Sequence, residues 1–201
     1  MKTQRFVLDT SAFTGVSMPK AGIDKRILKI IKLITEAKQN NVTCYCPPSV
    51  WNELRGILEN KKIPAKEIKK LDAWLVQKTP SLNEINVPAE FLYAYVGEVR
   101  ERFNRGLREA EKAVLAKGGN RPDDIVIRDL RENYKKSMRQ GILDSIEDLE
   151  VLLLAKELNA GVVTGDEGIK KWAKKWGIRL LDHKIFPELL QEYMKKGGKK
   201  K

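Results

Sequence analysis

The stretch "DLEVLLLAKELNAGVVTGD", residues 148–166, decides the fold. Its first part, "LEVLLLAKEL", is a strongly apolar helix that opens among acids. Its second part, "GVVT", is a short apolar strand that stops on a carboxylate, Asp166. The front of the chain repeats the ending. "RFVLDTSAF", residues 5–13, is a buried strand closed by Asp9 and followed at once by Thr10 and Ser11. Between them, "DKRILKIIKLITEAKQ" (24–39) carries apolar residues at helical spacing, with Asp24 as the expected N-cap. "NVTCYCPP" reads as a strand stopped by prolines. "PSVWNELRGILEN" is a helix with Ser49 as expected N-cap, and "PAKEIKKLDAWLVQK" is another. After Asp166 come a helix, "EGIKKWAKKWG", a last strand, "IRLLD", and a closing helix, "FPELLQEYMKK". Strands alternating with helices predict an α/β fold: an open parallel sheet flanked by helices.

The middle of the chain breaks the alternation. Residues 88–117 read as one long helix, with Leu92, Tyr95, Val99, Phe103, Ala110 and Val114 at spacings of three, four and seven. "KGGN" ends it. "RPDDIVIRDLRENYKKSMRQ" begins a second helix, with Pro122 and Asp123/Asp124 as start signals. Two helices joined by a Gly-Gly turn form a hairpin. The expected organisation is an α/β domain from 1–84 and 140–194, an inserted helical hairpin at 85–139, and a Lys-rich tail at 195–201. The hairpin is charge-dense and expected to protrude, with its apolar stripe set against a partner or another copy.

The 201 residues carry a net charge of +12, which suggests a polyanionic partner, most simply nucleic acid. A highly charged soluble protein is the plainer alternative. No apolar stretch reaches the roughly 18–20 residues that cross a bilayer, and the N-terminus lacks the pattern of a signal peptide, so a cytoplasmic protein is expected. Cys44 and Cys46, spaced C-x-C, match neither a redox pair nor a zinc quartet and read as buried small residues. His183 is the only histidine, which excludes His-rich metal sites; a surface or capping role is expected for it.

The acids share a pattern. Asp9 and Asp166 each follow a short apolar strand, and in an open parallel sheet the carboxyl ends of strands line the ligand crevice. Asp144 and Asp148, four apart near one helix start, would share a face. Helix starts also carry acids merely to complement the dipole, and Asp9 could be a cap or half of a salt bridge. Glu53 is a further acid early in its helix. Hydrolysis of a phosphodiester puts charge on attacking and leaving oxygens, which two divalent ions about 4 Å apart can neutralise while generating hydroxide from water. Mg²⁺ or Mn²⁺ prefers oxygen ligands, which carboxylates supply. A basic surface to hold a polyanion and an acidic pocket to hold metal make joint sense.

Taken together, "FVLDTSAF", "PPSVWNEL" and "DLEVLLLAKELNAGVVTGD" resemble the three motifs of the PIN-domain nucleases. With the helical insertion, the doubled acid "LDSIED" and the closing "LLDHKIFPELLQEYMKK", the chain is similar to the minimal protein-only ribonuclease P family called HARP, the homologues of the Aquifex enzyme. The resemblance covers nearly the full length. It implies removal of the 5′ leader from precursor tRNA, without an RNA subunit, by one or two Mg²⁺ or Mn²⁺ ions. It carries the metal and catalytic roles onto Asp9, Asp144, Asp148 and Asp166, with Glu53 as a further ligand taken from general PIN architecture. Thr10, Ser11 and Thr164 would orient those ligands. The hairpin would assemble a homodimer or higher homo-oligomer and contact tRNA. Its basic residues fit that role: Arg128, Arg131, Lys135 and Arg139 form one helical stripe, and Arg102, Arg105 and Arg108 crowd the other helix. Three rival readings stay open: a PIN toxin-like ribonuclease cutting mature tRNA or mRNA, a non-catalytic PIN-fold RNA-binding scaffold, and a DNA-directed flap nuclease.

Overall fold

The structure is a computed structural model. It describes residues 3–15, 20–116, 121–138, 143 and 145–197, except the side chains of 20–24, 39 and 196–197. Arg139, Asp144 and the end of the Lys-rich tail lie outside the described residues. The chain divides into two compact units, Met1–Ile85 with Ser145–Lys201, and Asn86–Asp144.

In the first unit, β1 (Gln4–Leu8) runs into a short turn of helix, α1 (Ser11–Thr14), and then α2 (Lys20–Ala37). β2 (Val42–Cys46), α3 (Pro48–Asn60), α4 (Ala65–Trp74) and the two-residue β3 (Val76–Gln77) follow. Two helices of the second unit intervene: α5 (Ala89–Ala116) and α6 (Asp123–Met138). The first unit resumes with α7 (Ile146–Leu158), β4 (Gly161–Thr164), α8 (Glu167–Lys175), β5 (Leu180–Asp182) and α9 (Phe186–Gly197).

The five strands form one sheet in the order β3-β2-β1-β4-β5, every pair parallel. The predicted α/β class and its flanked parallel sheet are therefore what the chain forms. The apolar runs explain why. Phe6, Val7, Leu8, Val162 and Val163 are all fully buried, which a strand requires when helices cover both faces of its sheet. Helix α7 packs on β1, β4 and α8, and its residues Val151 to Ala155 are buried without interruption. That surrounds the helix with core and accounts for its continuous apolar run. Helix α2 packs against α4 and α9, and Phe186 of α9 meets Phe6 edge-on at 5.4 Å between ring centroids.

Strand order reverses beside β1: the chain moves outward through β2 and β3 on one side, then returns to β4 and β5 on the other. In open parallel sheets such a switch point is where the ligand crevice lies, here at the carboxyl ends of β1 and β4.

Several local expectations change. Helix α2 begins at Lys20, so Asp24 is inside it and not its cap. The apolar spacing extends back through Ile23, and the helix follows it. The N-cap position of α3 is Pro47, with Pro48 as the first helical residue. Proline's fixed φ and missing N–H suit that position, which moves Ser49 into the first turn. Its hydroxyl instead donates to Glu150 of α7. Ser145 caps α7, accepting from the Asp148 N–H at 3.1 Å, so the helix starts at Ile146. Asp148 therefore stands in the first turn of α7, and the expected pairing with Asp144 lies outside the described residues. His183 is buried, at 5% exposure, and is not a surface residue. Cys44 and Cys46 are free and buried, as read.

In the second unit α5 and α6 pack on each other. Gly106 makes close packing possible: a Cβ there would stand 2.6 Å from the Tyr134 ring. Much of α5 stays uncovered. Leu92, Val96, Phe103, Leu107 and Val114 are each 58–73% exposed. At 3.6 residues per turn these five fall within an arc of about 60°.

Candidate active site at the sheet switch point

β1 ends at Leu8, and the Asp9 N–H donates to the Val163 carbonyl at 3.2 Å. The ladder therefore persists one residue past β1 and brings Asp9 level with Thr164. Asp9 is 7% exposed and Thr164 fully buried. A buried carboxylate demands hydrogen bonds, and hydroxyls supply them. Asp9 Oδ2 accepts from Ser11 Oγ at 2.5 Å and from Thr164 Oγ1 at 2.9 Å. Thr10 Oγ1 donates to Oδ1 at 3.3 Å.

The two hydroxyls also look outward. Ser11 Oγ accepts from the Gly165 N–H at 2.7 Å, and Thr164 Oγ1 accepts from the Asp166 N–H at 2.9 Å. Each hydroxyl thus receives a backbone proton and passes its own to Asp9. With both protons committed, the 3.3 Å approach of Ser11 Oγ to Thr164 Oγ1 is a contact and not a third bond. The relays join residues more than 150 positions apart and lock the Asp9–Ser11 turn to the Thr164–Asp166 turn.

Asp166 has a double placement. It is the N-cap of α8, its Oδ1 accepting from the Ile169 N–H at 2.8 Å, and it is exposed at the crevice. The ordinary capping explanation therefore holds for one oxygen and leaves the other. Asp148 lies in the first turn of α7, half-buried. Glu53 is exposed in the second turn of α3, outside the Asp9 network. Among the basic residues, Arg128, Arg131 and Lys135 line one groove of α6, and Arg105 and Arg108 line another with Lys112 and Lys136. Arg108 is 3.5 Å from Glu101 and Arg128 is 3.7 Å from Asp129, exposed pairs of small energetic weight.

Hard oxygen donors of this kind suit Mg²⁺ or Mn²⁺. Asp9 and Asp166, tied through Thr164, present such donors at one crevice. Among the described residues no three His, Cys, Asp or Glu side chains gather closely enough to hold an ion by themselves.

One neighbour was not singled out as part of this region. His183 follows β5, and the register Thr164↔Asp182 puts it level with Gly165. Burial lowers its pKa below the ordinary 6.5, against the opposing pull of Asp182, whose Oδ1 is 3.4 Å from Nδ1. Asp182 itself is held low, first by the Lys184 N–H at 2.7 Å. The signal in the sequence was only positional: a histidine directly after the last strand.

An open parallel sheet flanked by helices, with Asp9 and Asp166 at its switch point, is consistent with a PIN-like nuclease fold, and the family match assigns it. The chain matches the PINc domain ribonuclease family model over residues 5–195. It is 42% identical to a protein named RNA-free ribonuclease P from Haloarcula marismortui, over 95% of this chain and 92% of that one. To proteins of the same name from Methanocaldococcus jannaschii and Methanopyrus kandleri it is 42% and 39% identical, over at least 94% of each chain. The chain belongs to the family of PIN-domain ribonucleases that contains these RNA-free ribonucleases P.

Proposed function

We propose that this ribonuclease cleaves precursor tRNA endonucleolytically at the 5′ leader, without an RNA subunit, leaving a 5′-phosphate on the mature tRNA. The observation that carries the reading is near-full-length similarity, at about 40% identity, to proteins named for that activity. The lock between the Asp9 and Asp166 turns supports it.

Asp9, Asp144, Asp148 and Asp166 are proposed to hold one or two Mg²⁺ or Mn²⁺ ions, with Glu53 a further candidate. When bound, such an ion activates water and neutralises charge on the oxygens of the scissile phosphate. Thr10, Ser11 and Thr164 would hold Asp9 in position as a ligand by donating to it. Arg102, Arg105, Arg108, Arg128, Arg131, Lys135 and Arg139 are proposed to meet tRNA phosphates, through contacts that follow shape more than sequence. That substrate puts the work in the cytoplasm. No helix among the described residues is long and apolar enough to cross a membrane.

Homo-oligomerisation through the hairpin is part of the proposal. The exposed apolar stripe on α5 supports it, since contiguous apolar surface of that kind marks a binding face.

The test is incubation with one leader-bearing tRNA, with Mg²⁺ and with chelator, mapping the cut to the nucleotide. Cleavage at the leader junction that the chelator abolishes is expected. Asp9→Ala should lose cleavage and keep RNA binding. Cutting of mature tRNA or mRNA instead would favour a toxin-like ribonuclease, and no metal-dependent turnover would favour a scaffold.

A further inference from the structure

His183 stands between the end of α1, the short helix that follows Asp9, and the turn that carries Asp166. Its Cε1–Nδ1 edge lies against Gly165: a Cβ on that residue would fall 2.7 Å from both atoms. Its opposite edge lies against Gly15, at the end of α1, where a Cβ would fall 3.1 Å from Nε2. Gly15 has a φ of +33°, and Gly165 sits between Thr164 and Asp166. The residue's carbonyl is fixed by Arg26 of α2, whose Nη2 donates to it at 2.8 Å. The ring is 5% exposed, and neither nitrogen meets a partner in hydrogen-bonding geometry.

The Thr164 carbonyl and Asp182 Oδ1, 3.4 Å from Nδ1, both act on the ring, and neither reaches it in well-aligned hydrogen-bonding geometry. What the fold uses is the ring's thickness. It fills the gap between the end of α1 and the start of the Gly165–Asp166 turn; Gly165 leaves the space the ring occupies, and Gly15 leaves room for Arg26 Nη1, 2.6 Å from a Cβ there, as well as for the ring. The Ser11–Gly165 and Thr164–Asp9 bonds pull these turns together, and the ring limits how far they close.

We propose that His183 is a positioning residue that sets the spacing between the Asp9–Ser11 turn and the Thr164–Asp166 turn, and through it the metal affinity of the site. This rests on the reading of those acids as metal ligands. It assigns His183 no contact with metal or substrate.

The experiment compares the full-length protein with Gly165→Ala, His183→Ala, the double variant and His183→Asn. Mn²⁺ affinity is measured by electron paramagnetic resonance without RNA, beside tRNA binding and thermal unfolding. Losing support around a metal ligand typically costs about 10–100-fold in affinity, and each single variant should weaken Mn²⁺ binding by that much. tRNA affinity should stay unchanged. The added methyl and the lost ring act on one gap, so the double variant should lose much less than the product of the single losses. Wild-type Mn²⁺ affinity in folded His183→Ala, or fully multiplicative losses, would overturn the proposal. If His183→Ala does not fold, Gly165→Ala and His183→Asn decide it by the same criterion. Mn²⁺ binding by wild-type protein without leader cleavage would refute the substrate reading alone. No Mn²⁺ binding by wild-type protein would refute both.

Discussion

Thr164→Val isolates the hydroxyl relay. The two side chains have nearly the same shape, and residue 164 is fully buried, so the change removes an oxygen and little volume. Two bonds go: the donation to Asp9 Oδ2 and the acceptance from the Asp166 N–H, both 2.9 Å. A hydrogen bond to a charged group contributes about 1.5–3 kcal/mol, and the orphaned N–H adds about 1 kcal/mol. Asp9 keeps Ser11 and Thr10 as donors, so the lower part of that range applies and the total is about 3 kcal/mol. For a chain of this size about 1 kcal/mol moves Tm by roughly 2–4 °C, so Tm should fall by about 6–12 °C. Leader cleavage, measured well below the new Tm, should slow by about 10–100-fold because Asp9 and Asp166 lose their common anchor. Thr164→Ser keeps the hydroxyl and should keep most of the activity, at the cost of a buried methyl. A Thr164→Val protein with unchanged Tm and rate would refute the relay.

Burial holds the His183 pKa below the ordinary 6.5, so the unfolded chain takes up the proton more readily. Its contribution is fully present above pH 6.5 and is lost as pH falls through the lower folded value. Asp182, Arg26 and Lys170 all act on this group, and His183→Asn should flatten the Tm-against-pH curve in that window. Burial raises both cysteine thiols to about 12, so Cys44 and Cys46 should resist a thiol reagent at pH 8 and react together on unfolding in denaturant. Phe103→Glu with Leu107→Glu puts charge on the α5 stripe and should lower the mass seen by light scattering without changing helix content. An unchanged mass would count against assembly through that face.

Much of this architecture was legible along the chain. "RFVLD" and "GVVTGD" are short apolar runs ended by acids, and their strands, with the helices "LEVLLLAKEL" and "EGIKKWAKK", follow from local spacing. The pair Thr10/Ser11 and the acids Asp9 and Asp166 were visible for the same reason. Periodicity reports which face of a segment is apolar, and that property is carried by neighbours in sequence. The caps were less legible. Asp24 and Ser49 have the right chemistry, but a continuing apolar pattern and a Pro-Pro pair moved the helix starts elsewhere.

Tertiary structure alone decided that β1 pairs with β4, so that Thr164 reaches Asp9 across 155 positions. It also decided that Ser49 answers Glu150 and that His183 is buried between two glycines. No pattern in a single segment encodes these contacts. Each depends on the strand order and on how closely two backbones approach once the core has closed, which are properties of the packed sheet and not of any stretch within it.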